Sequence, residues 1–210
     1  MYVKNHMLPK EKLTVLDLNE NVSSALEKIE EGDFLSLPVF EGENFKGILM
    51  KEAVYRYYFE SDSQDKEAFL KDIKVKDIYN DKFKSIMEDE LIENASYLLK
   101  EWNTPFLPVF NSRDNFVGIL THYSIFKAFA EVFGFEKGTK IVVNMFDTPG
   151  QLARLTEVIR KENINIMNFT VMDAKVLGVY RVILRVDTDN PDNLIDKISR
   201  AGFKIGDIGK

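Results

Sequence analysis

Two segments of the chain place polar side chains at the predicted start of a helix. The first is Thr121-His122-Tyr123-Ser124, which follows an apolar strand segment. The second is Asp147-Thr148-Pro149-Gly150-Gln151, in which Thr148 is expected to cap the helix and Gln151 to complete a capping box, with Pro149 at the first helical position. Hydroxyl groups and first-turn amides, which have no intrahelical acceptor, can donate hydrogen bonds to a phosphate or a carboxylate.

The sequence lacks four motifs that are common in enzymes. It has no Gly-x-Ser-x-Gly, His-Glu-x-x-His, phosphate-binding Walker loop or dinucleotide Gly-x-Gly-x-x-Gly. It also has no cysteine and only two histidines, and no second histidine lies within metal-ligand spacing of His122. We therefore expect neither an enzyme nor a metal site, and we interpret His122 as a polar residue at the edge of a cleft.

The composition predicts a cytoplasmic protein. The 210 residues are 45% apolar and 30% charged, and the formal net charge is −6. An acidic chain without a basic block is a poor ligand for nucleic acid or for an anionic membrane. No apolar run is long enough to cross a bilayer, and the N-terminal residues have no apolar signal core. The absence of cysteine agrees with a reducing compartment.

An internal repeat organises the first two thirds of the chain. Leu37-Pro38-Val39-Phe40 recurs 70 residues later, and Phe45-Lys46-Gly47-Ile48-Leu49 recurs as Phe116-Val117-Gly118-Ile119-Leu120 after 71. Each copy is predicted to contain a strand, a helix, two strands joined by a turn, and a second helix. The second helices are expected at about Lys51–Glu60 and His122–Phe133. Asn19 and Asp89 are expected to cap the first helices, and residues 61–71 form a linker or a helical extension.

The remaining segment predicts a different unit with the order βαββαβ. Its strands are expected at Lys140–Phe146, Ile164–Met172, Val179–Val186 and Phe203–Ile205. The fold class is therefore α+β, with domains at 1–62, 72–134 and 138–210 and a glycine-containing boundary at 134–138.

The repeated pattern of a helix, an apolar-Pro-Val strand, a turn, Gly-Ile-Leu and a helix start resembles a CBS domain. Two copies in tandem, over residues 1–133, resemble a Bateman module, which implies an adenosine nucleotide (AMP, ADP or ATP) as ligand. The family pattern continues with Thr or Ser, two variable residues and Asp. The second copy keeps Thr121 and has Ser124 at the Asp position, whereas the first copy has Met50 and Ala53. The resemblance therefore implies a nucleotide site at Thr121, Ser124 and the adjacent His122.

The C-terminal segment resembles an ACT domain over about residues 138–207. The resemblance rests on the turn Asp147-Thr148-Pro149-Gly150 and on Asn163-Ile164-Asn165-Ile166. It implies an amino-acid ligand bound where two copies pair. The ligand carboxylate would sit at the amides that open the helix within Thr148–Gln151, a segment that includes Pro149 and Gly150. Asp147 would pair with the ammonium group, and Asn165 would reach across from the facing subunit. The same turn is also simply a good helix start.

A CBS pair followed by an ACT domain resembles the acetoin-utilisation B-type proteins. This resemblance implies a regulatory sensor that binds a small molecule and forms a homodimer through its CBS helices and ACT sheets, with a possible protein partner. The aromatic residues of the second helices are interpreted as interface packing. The alternative is a structural or interaction protein whose ligand sites are vestigial.

Overall fold

A computed structural model describes residues 1–61, 65–135 and 138–209 of the chain. The chain divides into two compact units, Met1–Phe126 and Lys127–Lys210. The α+β fold class is confirmed. The predicted domain ends at residues 62 and 210, and residues 136 and 137 of the predicted boundary, lie outside the described residues.

The first copy of the repeat folds around a three-stranded sheet in the order β2-β3-β4. Its first two strands pair in parallel (Leu16 opposite Val39), and β3 and β4 form an antiparallel hairpin. The first helix is buried against this sheet through Val22, Ala25 and Ile29. The elements are β1 (Leu8–Pro9), β2 (Leu16–Asp17), α1 (Val22–Glu31), β3 (Ser36–Glu41), β4 (Asn44–Met50), α2 (Lys51–Glu60) and α3 (Lys66–Asp72).

The second copy repeats this arrangement in a sheet of order β1-β7-β6-β5. Ile86 lies opposite Val109, as Leu16 lies opposite Val39 in the first copy. The second helix ends at Val132, one residue earlier than predicted, while the first copy is followed by a separate helix, α3. The elements are β5 (Ile86–Met87), α4 (Ile92–Glu101), β6 (Phe106–Phe110), β7 (Phe116–Thr121) and α5 (His122–Val132).

The segment that precedes each copy pairs with the sheet of the other copy. Leu8 lies opposite Ile119 and Pro9 opposite Gly118, so β1 extends the second sheet. In the same way, Asn80 pairs with Ile48 of the first sheet through N–H···O bonds of 2.8 and 3.0 Å. The two copies are therefore interlocked through their backbones.

Aromatic rings fill the space between the two sheets. Phe45 and Phe116, which occupy equivalent positions in the two copies, stack on each other with ring centroids 4.8 Å apart. Phe40 and Phe110 meet the Phe116 ring edge-on, at 5.2 and 5.8 Å. The repeat thus builds one shared core, as expected for units too small to bury one each.

The predicted helix caps are wrong. Helix α1 is preceded by Asn21 and α4 by Leu91, and neither side chain caps its helix. The crossing segments replace the caps, because the N–H of Val22 donates to the carbonyl of Ile73 and the N–H of Ile92 donates to that of Met1, both at 2.9 Å. In both helices, a carbonyl group from a distant segment thus accepts the hydrogen bond of a first-turn amide, where the sequence predicts capping by a nearby side chain.

The C-terminal unit is an antiparallel sheet of order β11-β8-β10-β9, which the predicted βαββαβ order implies. Two helices cover one face through Leu155, Ile159, Leu194 and Ile198, which are buried against the strands. Its elements are β8 (Thr139–Phe146), α6 (Gln151–Lys161), β9 (Ile166–Val176), β10 (Val179–Val186), α7 (Asp192–Arg200) and β11 (Lys204–Gly209).

The start of α6 also differs from the predicted capping box. The helix begins at Gln151, and Gly150 is its N-cap with a left-handed φ of 85°. The Gln151 side chain donates to the Thr148 hydroxyl at 3.0 Å. Pro149 and Gly150 therefore form a turn ahead of the helix, because a glycine that adopts positive φ without strain delays the first helical residue by two positions.

We predict that Gly118→Ala destabilises the first unit by about 1 to 3 kcal/mol. A Cβ at this position would lie 2.3 Å from the carbonyl oxygen of Leu8 in the crossing strand. Chemical denaturation measures the loss. Gly209→Ala is the matched control, because its Cβ would meet no atom within 4 Å. An equal effect of both substitutions would contradict the close-approach explanation.

Candidate functional site

A cavity of about 290 Å³ lies where the end of the first copy meets the segment that enters the second. Lys82 and Lys84 contribute two cations to its lining, and Glu101 contributes one carboxylate. The wall also contains Trp102, the only tryptophan of the chain. The ammonium group of Lys84 lies 4.9 Å from the centre of the Trp102 ring. This combination suits a ligand that carries both an anionic group and a planar ring.

The first-copy helix start forms an apolar part of the same cavity. Met50 lines it, and its side chain makes no capping hydrogen bond to α2. The sequence pattern does not identify Lys82, Lys84 and Trp102, because the family pattern places its ligand contacts after the Gly-Ile-Leu strand. Lys82 and Lys84 precede β5, and the lone tryptophan precedes β6, which the structure pairs with β5.

The predicted nucleotide residues of the second copy lie together but bond to each other. The Ser124 amide donates to the Thr121 hydroxyl oxygen at 3.1 Å, and the two hydroxyl oxygens are also 3.1 Å apart. Ser124 is 8% exposed, whereas His122 is exposed. Thr121 thus accepts the helix-capping hydrogen bond of α5, and none of the three residues lines the cavity at Met50.

An open groove of about 470 Å³ lies at the start of α6 in the C-terminal unit. Four of the predicted amino-acid-binding residues, Asp147, Thr148, Pro149 and Gly150, line it together. The amide of Asp147 donates to the carbonyl of Gly178 at 2.9 Å, which fixes the turn against the hairpin of β9 and β10. The structure therefore brings a carboxylate and the first-turn amides of a helix to one concave surface.

Asn165 does not line this groove. It precedes β9, and its carbonyl oxygen accepts a hydrogen bond from the amide of Asp187 at 3.0 Å. Strand β9 is an edge strand of the sheet. Two of its apolar side chains, Phe169 and Val171, are 50% and 39% exposed, and Val171 also lines the groove. An exposed apolar edge of this kind is a template for pairing with another chain.

Sequence models of two domain families match segments of the chain. The sequence model of the CBS domain matches residues 75–131, and that of the ACT domain matches residues 139–203. The chain carries a CBS domain followed by an ACT domain. Both are families of regulatory, generally non-enzymatic domains. The domain content of the chain therefore supports a ligand-binding regulatory protein.

Solved structures similar to this chain are CBS proteins. CBSX2 in complex with AMP is 24% identical, with 62% of this chain and 97% of that chain covered and a TM-score of 0.54. CbpB in complex with c-di-AMP is 21% identical, with 62% and 85% covered and a TM-score of 0.52. A CBS domain-containing protein from Bacillus anthracis is 19% identical, with 62% and 94% covered and a TM-score of 0.55. At these identities the likeness shows the fold alone.

The curated proteins contain no match to the chain. The resemblance to the acetoin-utilisation B-type proteins is not confirmed by these comparisons and stays a prediction. Within residues 1–61, 65–135 and 138–209, no helix is long and apolar enough to cross a membrane. The same described residues contain no group of three or more His, Asp or Glu side chains placed to hold a metal ion.

We predict that Thr121→Ala lowers the free energy of unfolding by about 1 kcal/mol, because it removes the hydroxyl that caps α5. Chemical denaturation tests this value, with Thr121→Ser as the matched control that keeps the hydroxyl. If Thr121→Ala and Thr121→Ser are equally stable, the capping role is wrong.

Proposed function

We propose that the protein is a non-enzymatic regulatory sensor whose CBS pair binds an adenosine nucleotide. The cavity lined by Lys82, Lys84 and Trp102 carries this proposal, because it offers cations for a phosphate and an aromatic surface for a base. Its volume of about 290 Å³ lies at the lower end of the usual range for small-molecule sites. The similar structures that contain AMP and c-di-AMP support the same ligand class.

The binding mode we propose differs from the family pattern in its contacts to phosphate. The family pattern places a hydroxyl beside the phosphates at the helix start, where this cavity has Met50. The two lysines supply the missing interactions from the segment that enters the second copy. Lys84 already lies over the Trp102 ring, so a bound phosphate would draw its ammonium group away and leave the ring face open to the base.

The cleft of the second copy is the other candidate nucleotide site. Binding there requires the hydroxyls of Thr121 and Ser124 to exchange their mutual hydrogen bond for bonds to the ligand. Such an exchange gains little free energy, because one satisfied hydrogen bond replaces another. We therefore place the tighter site at the lysine-lined cavity, with His122 at the edge of the weaker one.

We predict that AMP or ATP raises the thermal stability of the protein and that Lys82→Ala with Lys84→Ala weakens binding by about tenfold or more, which is the loss of about 1.4 kcal/mol. Isothermal titration measures the affinity. Lys66→Ala is the matched control, since Lys66 is exposed and lines a different cavity.

Titration of the Thr121→Ala variant shows which of the two clefts binds the nucleotide. Unchanged affinity in Thr121→Ala together with weaker binding in the double lysine variant supports the cavity at Met50. The opposite pattern would move the nucleotide to the second copy.

A second candidate function is amino-acid binding at the ACT groove. The groove places the Asp147 carboxylate beside the helix-start amides, which suits the ammonium and carboxylate groups of an amino acid. We propose that two subunits pair along the exposed edge of β9, alongside contacts between their CBS helices. Such pairing gives Asn165 of a facing subunit a route to the groove that it does not have within its own chain.

We predict that Asp147→Asn removes the stabilisation given by an amino-acid ligand in a thermal-shift panel of the 20 common amino acids. Saturation at about 100 times the dissociation constant corresponds to about 2.7 kcal/mol. Asp189→Asn is the control, because Asp189 is exposed and does not line the groove.

Light scattering tests the pairing on which this site depends. A monomer at micromolar concentration would overturn the interfacial site. A stable dimer that responds to neither nucleotides nor amino acids would instead favour the alternative of a structural or interaction protein.

A further inference from the structure

A cavity of about 360 Å³ lies between helices α1, α2 and α3 of the first copy, lined by residues that neither proposed site uses. Helix α3 closes one side of it. Phe69 of α3 is 6% exposed and packs its ring edge-on against Tyr58 of α2, with centroids 4.9 Å apart. The Asp65 side chain caps the same helix by accepting a hydrogen bond from the amide of Ala68 at 3.0 Å. A fixed helix therefore forms a third wall where two packed helices alone would leave a shallow groove.

The floor of this cavity is apolar. Leu26 of α1, Val54 of α2 and Phe69 of α3 are 9%, 1% and 6% exposed and meet there. Leu70 is partly buried and adds to the same surface. Such a floor accepts the hydrocarbon part of a ligand, because it removes apolar surface from water.

The rim of the cavity is acidic. Glu27, Glu30 and Glu31 line it from α1, and Lys66 is the single cation of the lining. Glu30 pairs with Lys51 at 3.3 Å. Among the described residues, no ion pair involves Glu27 or Glu31, so their negative charges remain available to a cation.

Two tyrosine rings of α2, Tyr55 and Tyr58, face the same space as these carboxylates. Carboxylates beside aromatic rings form a good environment for an ammonium group. The chain provides an internal example, since the ammonium of Lys51 lies 3.3 Å from the Glu30 carboxylate and 6.0 Å from the centre of the Tyr55 ring.

The second copy lacks these features. Its positions equivalent to Leu26, Glu27 and Glu30 hold Ser96, Tyr97 and Lys100. Among the described residues that follow α5, the next element is β8, and no counterpart of α3 precedes it. The cavity is therefore a property of the first copy and does not follow from the repeated fold.

We propose that this cavity binds a small organic amine whose apolar or aromatic body lies on the floor and whose protonated amino group lies among the glutamates and tyrosine rings. The charge of the rim selects a cation, and the volume suits a small molecule. The site is independent of the nucleotide and amino-acid sites, because its lining shares no residue with theirs.

The test compares three probes of similar shape on the full-length chain: 2-phenylethylammonium, neutral 2-phenylethanol and anionic 3-phenylpropionate. Ligand-observed NMR titrations measure each affinity. The cation is expected to bind about tenfold more tightly than the neutral probe, and the anion more weakly than either. Equal affinities for the three probes would overturn the proposal.

Variants locate the binding. Glu27→Gln with Glu31→Gln should remove most of the preference for the cation, while Glu60→Gln, an exposed carboxylate of α2 outside the lining, should leave it unchanged. Ser23→Trp should abolish binding of all three probes by filling the cavity from its rim, with circular dichroism to check the fold.

Two results with these variants would count against the site. Unchanged binding of the cation in Ser23→Trp would place the probe elsewhere and overturn the proposal. The proposal would also fail if no probe binds. If the double glutamine variant then alters the subunit association measured by light scattering, the face is an interface with a second copy. Nucleotide titrations of the same variants should be unaffected, so failure here is distinguishable from failure of the nucleotide proposal.

Discussion

Backbone pairing between the two copies of the repeat is the constraint on which the first unit depends. Each copy supplies the strand or bridge that completes the other copy's sheet, at Leu8–Pro9 on β7 and at Asn80 on β4. The same exchange supplies acceptors for the first amides of α1 and α4. Because an unpaired buried N–H costs about 1 to 3 kcal/mol, either copy alone would lose several such interactions together with the shared phenylalanine core.

This exchange also explains the repeated glycine of the Gly-Ile-Leu strand. A Cβ at Gly47 would lie 2.2 Å from the Asn80 carbonyl oxygen, and one at Gly118 would lie 2.3 Å from that of Leu8. Glycine is therefore required at both positions, because the backbone of the crossing segment lies too close to each strand to leave room for a Cβ. Sequence reasoning that reads them as turn or strand residues misses the neighbour that requires them.

The paired copies of the repeat form two clefts that differ in their polar side chains. Interlocking brings Lys82 and Lys84 to the cleft that lacks the family's hydroxyl, while Thr121 of the other cleft caps its own helix. A change of ligand contacts on an unchanged backbone costs little stability, since the core residues are untouched. Regulation through either cleft still requires the ligand to bind two states of the protein with different affinity.

The sequence did not predict β1, and it left the region of α3 open as a linker or a helical extension. It did predict the repeat, the order of strands and helices within each copy, the βαββαβ order of the C-terminal unit and the residues of the Asp147–Gly150 turn, because these follow from periodicity and local turn chemistry. It also determined the CBS and ACT assignments, through motifs that stand close together in the chain. The caps at Asn19 and Asp89 and the capping box at Thr148 could not be decided locally. Tertiary backbone bonds and a left-handed glycine gave the helices other starts. Only the tertiary structure places Lys84 over the ring of Trp102. It also places Glu27, Tyr58 and Phe69 around one cavity, because the packing of helices brings together side chains that lie many residues apart in the sequence.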